Sequence, residues 1–283
     1  MLKTSTLLAL VITALANFLC ALPAHAQRVF VSGSGSDANP CTFTQPCRSF
    51  QQAFDTAPDN GEIDVLDPAG YGPLTITHGI SIQAHGFGGI TQTSSSANAI
   101  TITSTFTANN GDISLNGLLM DGAGTGQYGI LIEAGASIQI LNCVVRHFAD
   151  GIEYEPPNSS SNFLVSNTIA SDNTHAGIYI QAANSATGAT LSEIAANNNG
   201  LGVIVQNGSV TVKDSVLSDN GGFGLATLGS DATIWLANSV ISGNGTGVAL
   251  LTGTVNSYGD NDINSNGTDL NTTSGTFATV STE

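Results

Sequence analysis

The stretch DSVLSDNGGFGLA, residues 214–226, contains an acidic residue, a short apolar run, a polar group ending at Asn220 and a second apolar run after Gly224. Nearly the same order of residue types returns at 238–250 as NSVISGNGTGVAL and at 167–180 as NTIASDNTHAGIYI. Self-similarity at a regular spacing is the signature of a repeat architecture. The spacing is therefore the strongest indication of the fold in this sequence.

A glycine precedes the second apolar run of each repeat, and successive glycines of this kind are 22 to 26 residues apart. We call them the anchor glycines: Gly129, Gly151, Gly177, Gly202, Gly224 and Gly247. After each anchor glycine the apolar residues alternate with a period of two, as Ile178 and Ile180 do. That alternation is typical of a strand with one buried face.

Each repeat contains two further short apolar runs, so about 22 residues must hold three short strands joined by tight polar turns. A coil of three strands that stacks on the next coil satisfies this spacing. The sequence therefore predicts an all-β fold, a right-handed parallel β-helix with roughly nine or ten coils.

Two sets of Asn and Asp residues recur at the corners between strands, where Asn tolerates a left-handed backbone and its amide can bond to neighbouring coils. The first predicted ladder is formed by Asn142, Asn167, Asp214, Asn238 and Asp260. The second corner carries the polar residues Asp172, Asn173, Asn197, Asn198, Asp219, Asn220 and Asn244. We interpret both sets as structural.

The chain divides into three predicted segments. Residues 1–26 have a positively charged start, an apolar stretch and the small-residue motif AHA, which predicts a signal peptide cleaved after Ala26 and a secreted protein, extracellular or periplasmic, without a lipid anchor. Residues 27–59 are predicted to hold a capping helix near 46–57, with Pro46 in its first turn. Residues 60–283 are predicted to form the β-helix, and no later stretch is apolar and long enough to span a bilayer.

The predicted export of the protein determines which cysteines are expected to form a disulfide. Cys41 and Cys47 bracket a short loop, and an oxidising compartment favours a disulfide between them. Cys143 lies in the apolar run ILNCVV and is expected to be a buried free thiol.

The charge restricts the partners. The formal net charge is −16, with 21 acidic residues against 5 Lys and Arg. Such a surface repels phosphate backbones, so nucleic acid is not an expected partner. It also repels polyuronates unless a cation such as Ca²⁺ intervenes. The histidines are expected as exposed turn residues, because no serine or cysteine nucleophile motif accompanies them.

The densest group of candidate site residues lies around 146–156, RHFADGIEYEP. Strand alternation directs Glu153 and Glu155 outward, and stacking is expected to bring Glu133 within roughly 5 Å of Glu155. Carboxylates this close share a proton or hold a cation such as Ca²⁺, and they are also the catalytic candidates. The predicted ligand-binding set is Glu133, Glu153, Glu155, Tyr179 and Gln181, with Gln206 in the same column. The alternative is a solvated strand face.

Three segments carry a family likeness: FVSGSGSDANPCTFTQPCRSFQQAF at 30–54, GEIDVLDPAGYGPLTITHGISI at 61–82 and LNGLLMDGAGTGQYGILI at 115–132. With these the chain resembles bacterial secreted right-handed parallel β-helix repeat proteins of the pectin-lyase-like superfamily. The superfamily includes pectate lyases, polygalacturonases, alginate epimerases, adhesins and tailspikes. The resemblance implies the fold. It does not carry over an enzyme mechanism, because the lyase arginines and the polygalacturonase GHG motif are missing.

Three functions remain open at this point. The first is a non-catalytic secreted β-helix that binds polysaccharide or serves in an extracellular matrix. The second is a carbohydrate-active enzyme, a polysaccharide lyase or glycoside hydrolase acting on an acidic glycan. The third is a structural adhesin or tailspike-like module. Scarce cations and missing motifs favour the first, with no cofactor other than Ca²⁺ and an open oligomeric state.

Overall fold

The computed structural model describes residues 27–103, 111–133, 137–156, 162–182 and 188–281. The predicted signal peptide lies outside these residues, as does most of the two insertions near 156–161 and 182–188. The described residues form one helix and a series of short strands that pair in parallel. This confirms the predicted all-β parallel β-helix.

The elements, in chain order, are β1 Arg28–Val31, α1 Phe50–Thr56, β2 Gly61–Val65, β3 Ala69–Gly70, β4 Leu74–Ile76, β5 Ile80–Thr91, β6 Ile100–Ile102, β7 Ile113–Asp121, β8 Tyr128–Ile132, β9 Ile138–Leu141, β10 Val144–Arg146, β11 Asp150–Tyr154, β12 Asn162–Ser166, β13 Ile169–Ser171, β14 Ala176–Gln181, β15 Gly188–Ser192, β16 Ala195–Asn197, β17 Leu201–Lys213, β18 Val216–Ser218, β19 Phe223–Thr227, β20 Ala232–Ala237, β21 Val240–Ser242, β22 Thr246–Leu250, β23 Thr254–Ser257, β24 Asp262–Asn264, β25 Thr268–Asn271 and β26 Thr276–Thr279.

The strands stack as three parallel sheets. The sheet that contains the anchor glycines, here called the anchor sheet, has the order β4, β6, β8, β11, β14, β17, β19, β22, β25. The second sheet runs from β1 and β2 through β9, β12, β15 and β20 to β26, and the third from β3 through β10, β13 and β21 to β24. The nine strands of the anchor sheet are close to the nine or ten coils expected from the period.

The core is a stack of aliphatic side chains inside the coils. Each inward position of the anchor sheet sits directly above the same position of the previous coil, as Ile130, Ile152 and Ile178 do, and all three side chains are fully buried. Burying a branched aliphatic side chain contributes about 1.5–3 kcal/mol relative to leaving it in water. The period-two alternation of the sequence is therefore the pattern that fills the core.

The helix α1 packs against β1, β2 and β4, which are among the first strands of the chain. It begins at Phe50 after Ser49, whose Oγ accepts a hydrogen bond from the backbone N–H of Gln52 at 3.2 Å. Phe50 and Phe54 are buried. Pro46 precedes the helix by several residues, so its predicted place in the first turn is wrong. The Ser49 hydroxyl satisfies a free N–H of the first turn and sets the start instead.

The cysteines are arranged as predicted. Cys41 and Cys47 form a disulfide, with their Cα atoms 4.6 Å apart. Cys143 is a buried free thiol, and burial raises its pKa to about 11. Both expectations are confirmed.

The second polar corner is a buried asparagine ladder along the inside of the coils. Each side-chain amide donates to the side-chain oxygen of the next member, with N···O distances of 2.9, 3.1, 2.8 and 2.9 Å along Asn173, Asn199, Asn220, Asn244 and Asn266. The repeat pattern of the sequence placed Asn197 and Asn198 in this set. The structure uses Asn199 instead, while Asn198 is exposed and donates to Asp172 at 2.5 Å.

Four of the five residues of the first polar corner adopt the expected left-handed backbone, whereas at Asp260 the preceding Gly259 has the positive φ angle, 81°, instead. The φ angles are 55° at Asn142, 46° at Asn167, 53° at Asp214 and 43° at Asn238. Asn167 donates to Asn142 at 2.7 Å, and Asn238 donates to Asp214 at the same distance. These residues are structural, as interpreted.

The anchor glycines are needed because the neighbouring coil leaves no room for a Cβ atom, and not because of their backbone conformation. None of them has a positive φ angle. A Cβ atom added at Gly202 would stand 2.3 Å from the carbonyl oxygen of Gly224 and 2.9 Å from the amide nitrogen of Asn220. Consecutive coils therefore approach each other closely at this corner, which only glycine permits.

Candidate functional site

The candidate site lies on the outer surface of the anchor sheet. In β11 and β14 the inward residues alternate with Glu153 and Tyr179, which are paired in register on adjacent strands. Leu131 of β8 is the neighbour of Glu153 on the other side. The predicted outward column around these residues is therefore formed by stacked strands of the anchor sheet. We call this surface the outer anchor face.

Glu153 differs from the expected solvent-facing glutamate, because only 3% of its surface is exposed. Its Oε1 accepts a hydrogen bond from Nε2 of Gln181 at 2.5 Å. The pKa of Glu153 is raised to about 8, mainly by burial and also by the negative charges of Asp150 and Glu155, while the Gln181 bond opposes the shift. Glu153 is therefore largely protonated at neutral pH.

Asp150 and His175 form a hydrogen-bonded pair beside Glu153. Oδ1 of Asp150 lies 2.6 Å from Nδ1 of His175 and accepts the backbone N–H of Ala176 at 3.0 Å. The imidazole is half exposed, and its ring centroid is 6.0 Å from that of Tyr179. The sequence analysis treated His175 as an exposed turn residue and did not include it in the site. The contact joins residues 25 apart in the chain, so only coil stacking reveals it.

Two tyrosines belong to the same cluster. The hydroxyl of Tyr179 donates to Oε1 of Gln206 at 2.8 Å. Burial, then the charges of Glu153 and Asp150, raise the pKa of Tyr179. Burial also raises the pKa of Tyr128, on β8, and the carboxyl groups of this cluster raise it further. Tyr128 was not among the predicted site residues. Its position in the repeat could have identified it: Tyr128 directly precedes the anchor glycine Gly129, as Asp150 precedes Gly151, and the two residues are paired in register.

Glu133 and Glu155 lie at the edge of the outer anchor face. The backbone N–H of Glu155 donates to the carbonyl of Ile132, which places it beside Glu133 on the next coil. Burial first, and the charge of Glu133 second, raise the pKa of Glu155. Gln181 leaves the predicted column, because the register between β14 and β17 shifts after Ile180 and pairs Gln181 with Asn207.

The predicted Ca²⁺ site would need more ligands than these two glutamates. Ca²⁺ takes six to eight oxygen ligands in proteins. Within the described ranges no three His, Cys, Asp or Glu side chains are grouped so that they could hold a metal ion. Calcium at Glu133 and Glu155 therefore stays a prediction.

The outer anchor face continues into an apolar half. Ala176, Ile204 and Ala226 are almost completely buried although they lie outside the coils, and Ala249 extends the row. Tyr179, Leu201, Phe223 and Leu228 pack around them. Buried apolar residues outside a solenoid core are not predicted by alternation alone. The face therefore has a polar half, with paired carboxyl groups, and an apolar half with aromatic edges.

A family model described as NosD, periplasmic copper-binding protein, matches residues 113–280, which include all the residues of the candidate site. The chain belongs to the NosD family. This is a right-handed β-helix family of the pectin-lyase-like superfamily, as the resemblance implied. Neither the curated proteins nor the solved structures contain a match to the chain.

Among the residues that the structure describes, the side chains do not form a copper site of the kind that the family description names. Copper in proteins is bound by thiolate and thioether ligands as Cu(I), by imidazole, and by nitrogen and oxygen donors in tetragonal Cu(II) sites. Cys143 is buried as a neutral thiol, and Met120 is 1% exposed. His85, His147 and His175 each contact a different aspartate on a different coil. The described part of the chain offers no group of three metal-binding side chains.

No helix among the residues that the structure describes has the length and hydrophobicity needed to cross a membrane.

The buried carboxyl of Glu153 predicts a pH-dependent stability. Its pKa is about 8 in the folded protein against 4.5 as the ordinary value, so the folded state binds more protons between these limits. The free energy of unfolding should therefore decrease as pH rises from about 5 through 8, by on the order of 1–3 kcal/mol after relaxation around the charge. Urea unfolding at pH 5, 7 and 9 measures this.

Glu153→Gln should remove most of this decrease, because the amide does not ionise. Glu193→Gln, at an exposed position, is the control and should keep the parent's pH dependence. A Glu153→Gln protein that loses stability with pH as the parent does would contradict the prediction.

Proposed function

We propose that this NosD-family chain is exported, with cleavage after Ala26, and binds a polysaccharide along the outer anchor face. The observation that supports this most directly is the continuity of the face: hydrogen-bonding side chains at Glu153, Tyr179 and Gln181 lead into the apolar cluster around Ile204. Sugar rings present both hydroxyl groups and apolar C–H faces. A surface with both characters on one flat sheet matches that chemistry.

The dimensions agree with an extended ligand. From β8 to β22 the face crosses five steps between stacked strands, or about 24 Å at the usual strand spacing. Long surfaces of stacked repeats are how solenoid proteins contact extended partners. Glu133 and Glu155 lie at the edge of the same face.

The charge favours a neutral polysaccharide. The chain carries a net charge of −16, and the carboxyl groups of Glu133, Asp150, Glu153 and Glu155 lie on the face. A polyuronate would meet this surface with like charge, at a cost that increases at low salt. We expect xylan, β-glucan or galactomannan to bind better than polygalacturonate or alginate.

Affinity electrophoresis against these five polysaccharides tests the proposal. Tyr179→Ala should weaken binding of the preferred polysaccharide about tenfold, because it removes an aromatic contact surface and the bond to Gln206. Trp235→Ala is the matched control, since Trp235 is an aromatic residue on the second sheet, packed near Tyr258. It should bind like the parent.

Two outcomes would contradict the proposal. The first is a parent protein that binds none of the five polysaccharides. The second is equal weakening by Tyr179→Ala and Trp235→Ala, which would place the ligand elsewhere or show non-specific adsorption.

A further inference from the structure

We propose that the outer surface of the third sheet is an interface between two copies of this chain, which pack side by side with their coils running in opposite directions. The contact is made by a row of exposed aliphatic side chains. This surface lies on a different sheet from the outer anchor face, so the inference does not depend on the proposed function.

The observation that carries the inference is a column of apolar side chains on the outside of the third sheet. Its members are paired in register on successive strands, and we call them the apolar stripe: Leu119, Val144, Ile169, Ala195, Val216 and Val240. Of the seven large hydrophobic residues that are exposed in the described part of the chain, four belong to this stripe, at 38–42% exposure. Single exposed hydrophobic residues are ordinary, whereas a contiguous row of them marks an interaction surface.

The column next to the stripe carries little net charge. Two residues after each member of the stripe, the strands hold Asp121, Arg146, Ser171, Asn197, Ser218 and Ser242. Nε of Arg146 lies 3.0 Å from Oδ2 of Asp121, so these two charges cancel. On a chain with a net charge of −16, the stripe and this column form a neutral region through which two like-charged copies can approach.

A second copy of the chain matches the stripe because its side chains recur at the same interval. Stacked strands are about 4.8 Å apart, so the six side chains cover about 24 Å. An α-helix repeats every 5.4 Å and would lose register with the stripe by about 3 Å over this length. The same stripe on another copy keeps its register from end to end, and two sheets packed face to face interdigitate their side chains at a separation of about 10 Å.

The sizes of the side chains favour the antiparallel orientation. A twofold axis along the strand direction, between the strands of Ile169 and Ala195, makes an isologous contact in which every member of the stripe meets an apolar residue of the other copy. The resulting pairs are Leu119 with Val240, Val144 with Val216, and Ile169 with Ala195. The branched side chain of Ile169 then lies opposite the smallest member of the stripe.

The two ends of the stripe are complementary in charge and shape. The column continues to exposed Asp262 after Val240, and to Gly89 before Leu119. Gly89 and Arg146 both line a hollow of about 420 Å³. Antiparallel packing places Asp262 of one copy at this hollow of the other, near Arg146, whereas parallel packing would place the two Asp262 carboxylates against each other. Asp121 also lines the hollow, and its charge is matched by Arg146.

Sedimentation velocity of the full chain over about 1 to 200 μM tests the dimer. The stripe is smaller than a standard protein–protein interface, so we expect a reversible dimer with a Kd on the order of 10 μM. The dimer should become tighter as salt is raised from about 50 to 500 mM, because salt screens the repulsion between two copies of net charge −16.

Val216→Asp should raise the Kd at least about tenfold, because it places a charge in the apolar contact. Val216 is 42% exposed and lies outside the core, so far-UV circular dichroism and urea unfolding should match those of the parent. Leu251→Asp is the matched control, since Leu251 is 38% exposed and lies outside the stripe, directly after β22. It should dimerise like the parent.

A charge exchange tests the orientation. Val144→Lys should also be monomeric by itself, but an equimolar mixture of Val144→Lys and Val216→Asp should form a heterodimer with a Kd close to that of the parent. Antiparallel packing places residue 144 of one copy against residue 216 of the other. In parallel packing these positions are three coils apart, about 14 Å, and the mixture would stay monomeric.

Three results would overturn the inference. A parent that stays monomeric over the whole concentration range excludes the dimer and leaves the stripe to a partner of another kind. Unchanged dimerisation of Val216→Asp, or equal weakening by Leu251→Asp, excludes the stripe as the interface. A mixture of the two charged variants that stays monomeric excludes the antiparallel orientation.

Discussion

Replacing Gly202 by alanine is expected to lower the free energy of unfolding by about 3 kcal/mol or more. The added Cβ would stand 2.3 Å from the carbonyl oxygen of Gly224 on the next coil, and that atom belongs to the backbone and has no rotamer to change. The nearby amide of Asn220, at 2.9 Å, would also be displaced from its ladder. Urea unfolding followed by circular dichroism measures the change.

Gly188→Ala is the matched control for this substitution. Gly188 begins β15 and has no positive φ angle, and a Cβ atom added there would meet no neighbouring atom within 4 Å. Alanine there should leave the free energy of unfolding unchanged or raise it by up to about 1 kcal/mol, because alanine lowers the conformational entropy of the unfolded chain. If Gly202→Ala were as stable as Gly188→Ala, the coils would not be in close contact at the anchor glycines.

Asn220→Ala should destabilise the protein by about 4 kcal/mol. Asn220 is 1% exposed, and its Oδ1 accepts the backbone N–H and the side-chain amide of Asn199 at 3.0 and 3.1 Å. Its own amide donates to the carbonyl of Ala196 and to Asn244. Alanine removes the bonds to the buried backbone N–H of Asn199 and to the carbonyl of Ala196, and each unsatisfied group costs about 1–3 kcal/mol. The side-chain amide of Asn199 keeps its bond to Ala170, and Oδ1 of Asn244 keeps the backbone N–H of residue 220.

Asn256→Ala provides the comparison for the ladder variant. Asn256 is half-buried and lies on β23, between inward Val255 and Ser257. Its replacement should change stability by no more than about 0.5 kcal/mol. Thermal and urea unfolding of both variants decide the point. A ladder variant with the stability of Asn256→Ala would show that solvent replaces the lost hydrogen bonds.

The coil architecture and the disulfide could be predicted from the chain alone. Their determinants are local or periodic: apolar residues at every second position, polar corners about 22 residues apart, and two cysteines that bracket one short loop. A repeat also places equivalent residues above one another, so the nearness of Glu133 and Glu155 followed from counting. The start of α1 was misjudged because it is set by the Ser49 hydroxyl, which accepts the backbone N–H of Gln52, and not by a proline.

The candidate site depended on contacts between coils that no local pattern encodes. The burial of Glu153 results from the surrounding side chains, the Asp150–His175 pair joins residues of adjacent coils, and the Gln181–Glu153 hydrogen bond joins residues 28 apart in the chain. The choice of Asn199 over Asn198 depended on which side chain points inward at a corner. The periodicity of the sequence determined which strands stack. Apolar residues at every second position mark the buried face of each strand, and the repeat places equivalent strands above one another. Only the tertiary structure decided which polar groups are desolvated and paired, because those energies depend on the exact spacing between neighbouring coils.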